Sequence, residues 1–432
     1  MFAFKALYFG IFVSLHYGVN VVLSTGPLSQ FRVIRITPSD SSDVETLLAL
    51  TKNANFDVWK WPSAGSPNMD VMLSREERRT FLPVLQTNGL QFHVMIKDVQ
   101  RLIDVQRSSA LKSRSRGVGE FEYFKYHTLD EIFAWMENIT SVYKDRASLF
   151  NVTTSYEGRP LMGLKISNPS VGPADRPAFW IEGGIHAREW ISPATVVFMA
   201  GQMLDLYKLD PELTAAVDKF DWYILPVTNP DGYSFTWKDD KSRLWRKTRS
   251  PQGKCIGVDP NRNWDLEWCK SGASKDPCSD TYCGPEAFSE PEVKGVSDFL
   301  QGLPNLKAFI DVHSYSQLWM SPWGYTKKLP ENYKLQDGGS AVATDALEKM
   351  YGTKYEHGSI AGILYEASGS SADWVYGKLK VPFSYAVELR DTGKYGFLLP
   401  EDQILPTGHE TLEAVRALVM YIYENIQYYN DL

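Results

Sequence analysis

From Phe121 to Leu432, short apolar runs alternate with longer segments of helical periodicity, and this alternation restricts the fold more than any other feature of the chain. Ala178 to Glu182, Trp222 to Val227, Ala308 to Val312 and Phe383 to Leu389 are strand-length and mostly apolar, as buried strands are. Leu129 to Val142 and Pro193 to Tyr207 read as helices, the second with Pro just inside its start, and Leu412 to Ile426 reads as a closing helix. Strands interleaved with helices predict one large α/β domain, a mixed central sheet with helices on both faces.

A smaller region precedes it, from Phe31 to Ser108. Phe31 to Ile36 alternates apolar and basic residues, and Met69 to Leu73 and Leu90 to Ile96 also read as strands. Asp43 to Ala54 has helical spacing, and Ser74 with Glu77 three residues on is a helix-start signature. This order predicts a small α+β domain with helices on one face of an antiparallel sheet. Between the two regions, Leu111 to Gly119 is rich in basic and small residues and lacks apolar periodicity, so it reads as a solvated linker in which a trypsin-like protease would find Arg114 or Arg116.

At the N-terminus Lys5 precedes a mostly apolar run, Ala6 to Leu15, and a second, Val19 to Leu23. Small residues at 24–26 follow, the pattern of a secretory signal. His16 and Asn20 interrupt the run, and nothing later approaches the ~18–20 consecutive apolar residues of a membrane span. The chain has 432 residues, 44% hydrophobic and 22% charged, with a net charge of -7; this is a globular composition without the basic face that nucleic acid needs. The four cysteines, Cys255, Cys269, Cys278 and Cys283, crowd one stretch without a C-x-x-C pair. In a secreted chain they read as disulfides, with three pairings open. Asn138-Ile139-Thr140 and Asn151-Val152-Thr153 fit the glycosylation acceptor pattern, in accord with secretion.

His186-Ala187-Arg188-Glu189 follows a strand and two glycines, so it occupies the turn at a strand end, where open α/β sheets place their sites. Histidine nitrogen and a carboxylate three residues on can reach one point, and zinc accepts both. A third ligand must come from the few remaining histidines of the seven. His16 lies in the leader, His93 in the small domain and His127 before a helix, while His357 and His409 have polar, loop-like surroundings. His313 ends another apolar strand, as a ligand should.

Ile185-His186-Ala187-Arg188-Glu189-Trp190 and Asp311-Val312-His313-Ser314-Tyr315 resemble the zinc motifs of the metallocarboxypeptidase A/B family. The resemblance continues in family order through 126–132, 228–233, 243–247, Asp259-Pro260-Asn261-Arg262-Asn263-Trp264 and Glu388-Leu389-Arg390-Asp391-Thr392-Gly393. It implies a signal over 1–24, an activation propeptide and linker over 25–116, and a catalytic domain over 117–432. It implies one zinc ion held by His186, Glu189 and His313, with Asp259 orienting the His186 ring. Glu388 matches the general base and Arg246 the residue that holds the oxyanion. Asn261, Arg262 and Tyr365 match the clamp on the free carboxylate of the substrate, and Arg188 and Tyr315 further substrate contacts. Arg suits that clamp because it grips a carboxylate with two parallel hydrogen bonds. By the same resemblance Cys255 pairs with Cys278 and Cys269 with Cys283.

The same resemblance implies that the pocket for the last side chain is lined by Met320, Gly324, Ile360, Leu364, Ser370, Ser371, Ala372 and Ala386. Ala372 matches a floor position that is acidic in the basic-specific branch and usually a bulky aliphatic in the neutral-specific branch. The expectation is a secreted, monomeric zymogen, activated by a trypsin-like protease, that removes neutral residues from peptides with a free C-terminus. A basic-specific enzyme, with Glu366 reaching the pocket, is the alternative; a catalytically inactive binding homologue is a further one.

Overall fold

The computed structural model describes residues 25–51, 54, 56–63, 65–114, 121–168, 170 and 176–430. The leader therefore lies outside the described residues, as do positions 115–120 with Arg116.

The small domain is a four-stranded antiparallel sheet, β1 (Arg32–Thr37), β2 (Asp57–Lys60), β3 (Met69–Leu73) and β4 (Gln91–Ile96), in the order β2-β3-β1-β4. Helices α1 (Ser41–Thr51) and α2 (Arg75–Thr87) bury Leu47, Phe81 and Leu85 against Ile34, Ile36, Val71 and Leu73 on one face. Ser74 and Glu77 close a reciprocal capping box at the start of α2. The sheet's other face meets the large domain: Val33, Trp59, Met72 and Ile96 pack with Leu244, Tyr315, Phe397 and Leu398.

α3 (Val99–Arg114) runs on through the first residues of the expected linker, so Leu111 to Arg114 are helical and not loop. The helix is anchored through its earlier turns. Val99 and Ile103 are buried, and Gln106 donates to Leu399 O at 2.9 Å and accepts from Arg243 Nε at 3.0 Å.

The large domain carries an eight-stranded mixed sheet in the order β13-β12-β14-β11-β7-β8-β6-β5. Its strands are β5 (Ala147–Thr154), β6 (Pro160–Ile166), β7 (Ala178–Gly183), β8 (Asp221–Leu225), β11 (Leu306–Ser314), β12 (Leu318–Ser321), β13 (Glu356–Ser359) and β14 (Phe383–Leu389); β9 (Pro251–Gln252) and β10 (Cys255–Ile256) form a separate hairpin. The central strands β14, β11, β7 and β8 are parallel, and β12, β6 and β5 supply the antiparallel pairings. Around them lie α4 (Leu129–Val142), α5 (Ile191–Asp205), α6 (Pro211–Val217), α7 (Pro230–Thr236), α8 (Pro291–Gly302), α9 (Tyr333–Tyr351), α10 (Ile360–Ile363), α11 (Ser371–Gly377) and α12 (Ile404–Asn430). Alternate residues of the central strands face opposite ways, so Phe179, Ile310 and Val312 pack under α5 and α12 while Trp180, Phe309 and Ala386 pack under α8 and α11.

Two helix starts differ from the sequence reading. α5 begins at Ile191, with Pro193 third; a proline costs no bond there because the first four helical N–H groups have no partner in the helix. α12 begins at Ile404, eight residues before Leu412, and runs through Pro406, Thr407 and Gly408. These residues look like a break, yet Pro406 sits in the first turn, and Gly408 lies where α12 crosses Phe198 of α5: a Cβ there would come within 2.4 Å of that ring. His409 is thus helical and His357 lies on β13, rather than in loops. Among the described residues, no helix is long and apolar enough to cross a membrane.

Glu292, in the first turn of α8, is fully buried. Its Oε1 accepts from Tyr156 N–H at 3.0 Å, whereas Oε2 has no partner among the described residues. Burial pushes its carboxyl up to about 7. The folded chain therefore holds this proton more tightly than the unfolded chain, and stability falls as pH rises from the ordinary carboxyl range through 7. Glu292→Gln should match the parent near pH 5 and exceed it at pH 8 by roughly 2–3 kcal/mol in denaturant unfolding. An equal difference at both pH values would show that the carboxyl is ionised throughout.

Candidate metal centre and substrate cleft

β7 ends in Gly183, and Gly184 follows with φ at 64°, a left-handed turn that glycine makes without strain. The chain then doubles back: Glu189 N–H reaches His186 O at 3.2 Å, and Ala187 N–H is fixed by Arg246 O at 3.0 Å. Ser192 ties this turn to the sheet, accepting from Gly184 N–H at 2.9 Å and donating to Val312 O on β11. His186 and Glu189 are thereby aimed at the end of β11, where His313 stands.

His186 Nδ1 lies 2.9 Å from Glu189 Oε1, and His313 Nδ1 lies 3.2 Å from both His186 Nδ1 and Glu189 Oε2. One ligand atom from each of the three residues falls within 4.8 Å of the others, and all three side chains are buried. Two imidazole nitrogens and one carboxylate, converging on the wall of an open cleft, make a donor set that suits zinc and leaves one side for solvent or substrate.

The charges nearest His186 are paired. Asp259 is fully buried; its Oδ1 lies 3.1 Å from His186 Nε2, and its Oδ2 accepts from Arg246 Nη2 at 2.8 Å. Burial alone would raise its carboxyl, but Arg246 and His186 outweigh that and hold it well below the carboxylate range. Glu189 is held low in the same way by His186 and His313 against the effect of burial. Arg246 Nη1 is 3.9 Å from Glu189 Oε1, so its charge borders the metal position. Glu388 stands beside His313 in the β11–β14 register and has one carboxylate oxygen without a partner among the described residues. Burial pushes its carboxyl up to about 8.

His186, Glu189, His313, Glu388, Arg246, Asn261, Arg262, Tyr315, Tyr365 and Ala372 all border this one cleft. Arg262 is braced by bonds from Nε to Gly272 O at 2.9 Å and from Nη1 to Asn261 O at 2.7 Å. Of the residues expected around the last side chain, Met320, Ile360, Leu364, Ser370, Ala372 and Ala386 line the cleft and Ala367 joins them. Gly324 and Ser371 do not: Gly324 N–H is tied to Asp373 at 2.8 Å, and Ser371 Oγ turns away to donate to Asp311 Oδ2 at 2.6 Å. Glu366 is exposed and lies outside the lining.

Arg188 also lies outside the lining, under the small domain. It donates to Asp57 Oδ1 at 2.8 Å and stacks on Phe397, 4.3 Å from the ring centre. Tyr315 donates to buried Asp70 of β3 at 2.8 Å, and Asp70 is paired with Arg35 at 2.7 Å. Trp59, Lys60 and Trp61 of the small domain line the mouth of the cleft. These contacts are absent from the sequence reading because β2 is only four residues long and its alternation is too brief to register. The disulfides join Cys255 to Cys278 and Cys269 to Cys283, with Cα separations of 5.3 Å and 5.5 Å.

Comparison with known proteins agrees with this arrangement. Residues 132–414 match the family model described as zinc carboxypeptidase, and residues 34–106 match the carboxypeptidase activation peptide. Carboxypeptidase A1 of Bos taurus is 42% identical over 402 residues, which span 91% of this chain and 94% of that protein. Carboxypeptidase B of Astacus astacus is 46% identical over 305 residues, 70% of this chain and 98% of that protein. The crystal structure of thrombin activatable fibrinolysis inhibitor superposes with a TM-score of 0.82 at 36% identity, covering 92% of this chain and all of that one. With a His-Glu-His centre at the strand ends and matches across both domains, the chain belongs to the zinc carboxypeptidase family and is a metallocarboxypeptidase built with an activation peptide.

Proposed function

We propose that this metallocarboxypeptidase is a secreted zymogen, with its signal in 1–24, its propeptide and linker in 25–116 and its catalytic domain in 117–432, and that it releases neutral C-terminal residues. The observation that carries the specificity is the apolar, acid-free floor formed by Met320, Ile360, Ala372 and Ala386. A terminal Lys or Arg would lose its hydration there without gaining a partner, at a cost of several kcal/mol. Asp311 stands next to Ala386 in one row of the sheet, with Glu182 on its far side, but neither acid borders the cleft, and Ser371 Oγ donates to Asp311.

The mechanism follows from what each side chain faces. His186, Glu189 and His313 would hold the zinc, with Asp259 fixing the His186 ring. Zinc held by these three residues would supply Lewis acidity for the scissile carbonyl and for a water molecule. Asn261, Arg262 and Tyr365 grip the free carboxylate and seat the last residue over Ala372. Glu388, whose burial raises its affinity for a proton, takes one from the attacking water and passes it to the leaving amine. Arg246, held ionised by Asp259 and Glu189, steadies the negative oxygen that develops in between.

His186→Ala should reduce bound zinc from one per chain to none and abolish peptide hydrolysis; stoichiometric zinc retained in the variant would remove the basis of the ligand assignment. Arg188 and Tyr315, matched to substrate contacts, are engaged by Asp57 and Asp70 of the small domain, and this supports an inhibitory propeptide. Cleavage after Arg114 or Arg116 should then raise turnover sharply. Equal rates for cut and uncut chain, on small and large substrates alike, would contradict the inhibitory role.

The specificity is tested by turnover of peptides ending in Phe, Leu, Lys and Glu after trypsin treatment, with and without a chelator. Phe and Leu should be released well above background, and Lys and Glu poorly, with shallow ranking among neutral residues. Ala372→Asp should raise kcat/KM for terminal Lys by about tenfold or more, the worth of one charged hydrogen bond in the pocket. Preferential release of Lys or Arg by the parent enzyme would place it in the basic-specific branch.

A further inference from the structure

Asp311 is a fully buried carboxylate for which the reaction described above has no use. It lies two residues before His313 on β11, so both side chains stand on the same face of the sheet. The Nδ1 of His313 is the nitrogen that faces His186 and Glu189, at 3.2 Å from each. If that nitrogen is to bind metal it carries no proton, and the proton must sit on Nε2.

Two groups face Nε2: Asp311 Oδ2 at 3.0 Å and Asn261 Nδ2 at 3.1 Å. The Asn261 amide is oriented by its other end, since its Oδ1 accepts from Ser371 N–H at 3.0 Å. Its NH2 group therefore points at the ring, and an N–H cannot accept a hydrogen bond. Of the two, only Asp311, at ion-pair distance, offers negative charge to the Nε2–H. Its Oδ2 is itself held by Ser371 Oγ, which donates at 2.6 Å.

We infer that Asp311 is a positioning residue of the metal centre, its carboxylate attracting the Nε2–H of His313 and holding that ring with Nδ1 toward the zinc. The inference rests on His186, Glu189 and His313 being the ligands. The centre then has a buried carboxylate behind each imidazole, and the two differ in charge balance. Asp259, behind His186, is bridged to Arg246. Asp311 has no Lys or Arg partner among the described residues, and its register neighbour on β7 is another acid, Glu182. The field of Asp311 is therefore balanced chiefly by the imidazole and its metal, which strengthens the hold on zinc.

The test is the rate at which the zinc-loaded full chain yields its metal to excess chromophoric chelator, for the parent and for Asp311→Asn. The amide keeps the side chain's shape and an acceptor oxygen but removes the charge. Loss of such a partner typically costs about 10–100-fold in metal affinity, and zinc release should accelerate by a comparable factor. A purely structural role would instead lower the unfolding midpoint of the metal-free chain and leave the release rate unchanged. Release within twofold of the parent rate in a folded variant overturns the inference, while a parent chain that binds no zinc overturns the ligand assignment as well. Nitrogen-15 histidine spectra of the zinc-loaded parent give a reading that needs no variant: His313 should show a slowly exchanging Nε2–H, and a proton on Nδ1 instead would overturn the inference.

Discussion

The parallel hydrogen-bond ladder of β7, β11 and β14 is the constraint from which the rest of the centre follows. Its register sets Glu182 beside Asp311 and His313 beside Glu388, so the strands end together at one edge. A strand side chain points to a fixed face, and a slip of one residue would turn His313 and Glu388 into the opposite core. The apolar residues between them prevent that slip, because Ile310, Val312 and Val387 are packed on the other side of the sheet. The residues that bring the ligands together are thus the ordinary hydrophobic ones, and the polar residues occupy what the ladder leaves at its end.

What the ladder cannot reach is supplied by the covalently stapled stretch around Asp259. Asp259 N–H bonds Tyr282 O at 2.8 Å, and the next residue, Cys283, is bonded to Cys269. The 3-10 turn Pro260–Arg262 that follows presents Asn261 and Arg262 to the cleft from irregular backbone. Such a segment has little sheet or helix to fix it, so the disulfides take the place of secondary structure by limiting what the unfolded chain can sample. Asp259 then transmits this order to the metal side through His186 and to the cleft through Arg246.

The legibility of this in the sequence followed periodicity. The α/β class, the antiparallel small domain and the buried strands carrying Glu182, His313 and Glu388 were readable because burial on both sides leaves an unbroken apolar run. Edge and short strands were not: β12 and β13 have four residues each, and Glu356 and His357 on β13 are exposed, so their composition resembles a loop. The start of α12 was masked by Pro406 and Gly408, whose meaning depends on a partner helix that no local pattern names. The cleft residues carried a family resemblance, whereas the approach of Asp57, Lys60 and Asp70 to the site is a contact between domains and leaves no spacing to read. Asp311 stands within the motif around His313, yet only the side-chain directions there give it work.

The small domain meets the cleft with the same physical means that a substrate would need. Asp57 brings a carboxylate to Arg188, and Asp70 brings one to Tyr315. Arg35 closes the second pair, bonding both oxygens of Asp70 and also Thr392 O of the large domain at 2.9 Å. These are charges partly or wholly withdrawn from water, so each is costly unless its partner stays in place. Separation of the domains would leave Arg188 without Asp57 and Tyr315 without Asp70, and would uncover Trp59, Leu244, Phe397 and Leu398. The docked arrangement is therefore held by apolar burial and made specific by the Asp57–Arg188 ion pair and the Tyr315–Asp70 hydrogen bond, and the residues so engaged lie beside Ala372 and Ala386 rather than among them. Ala372 and Ala386 take no part in those contacts, so the docking of the small domain and the apolar lining of the cleft rest on separate residues.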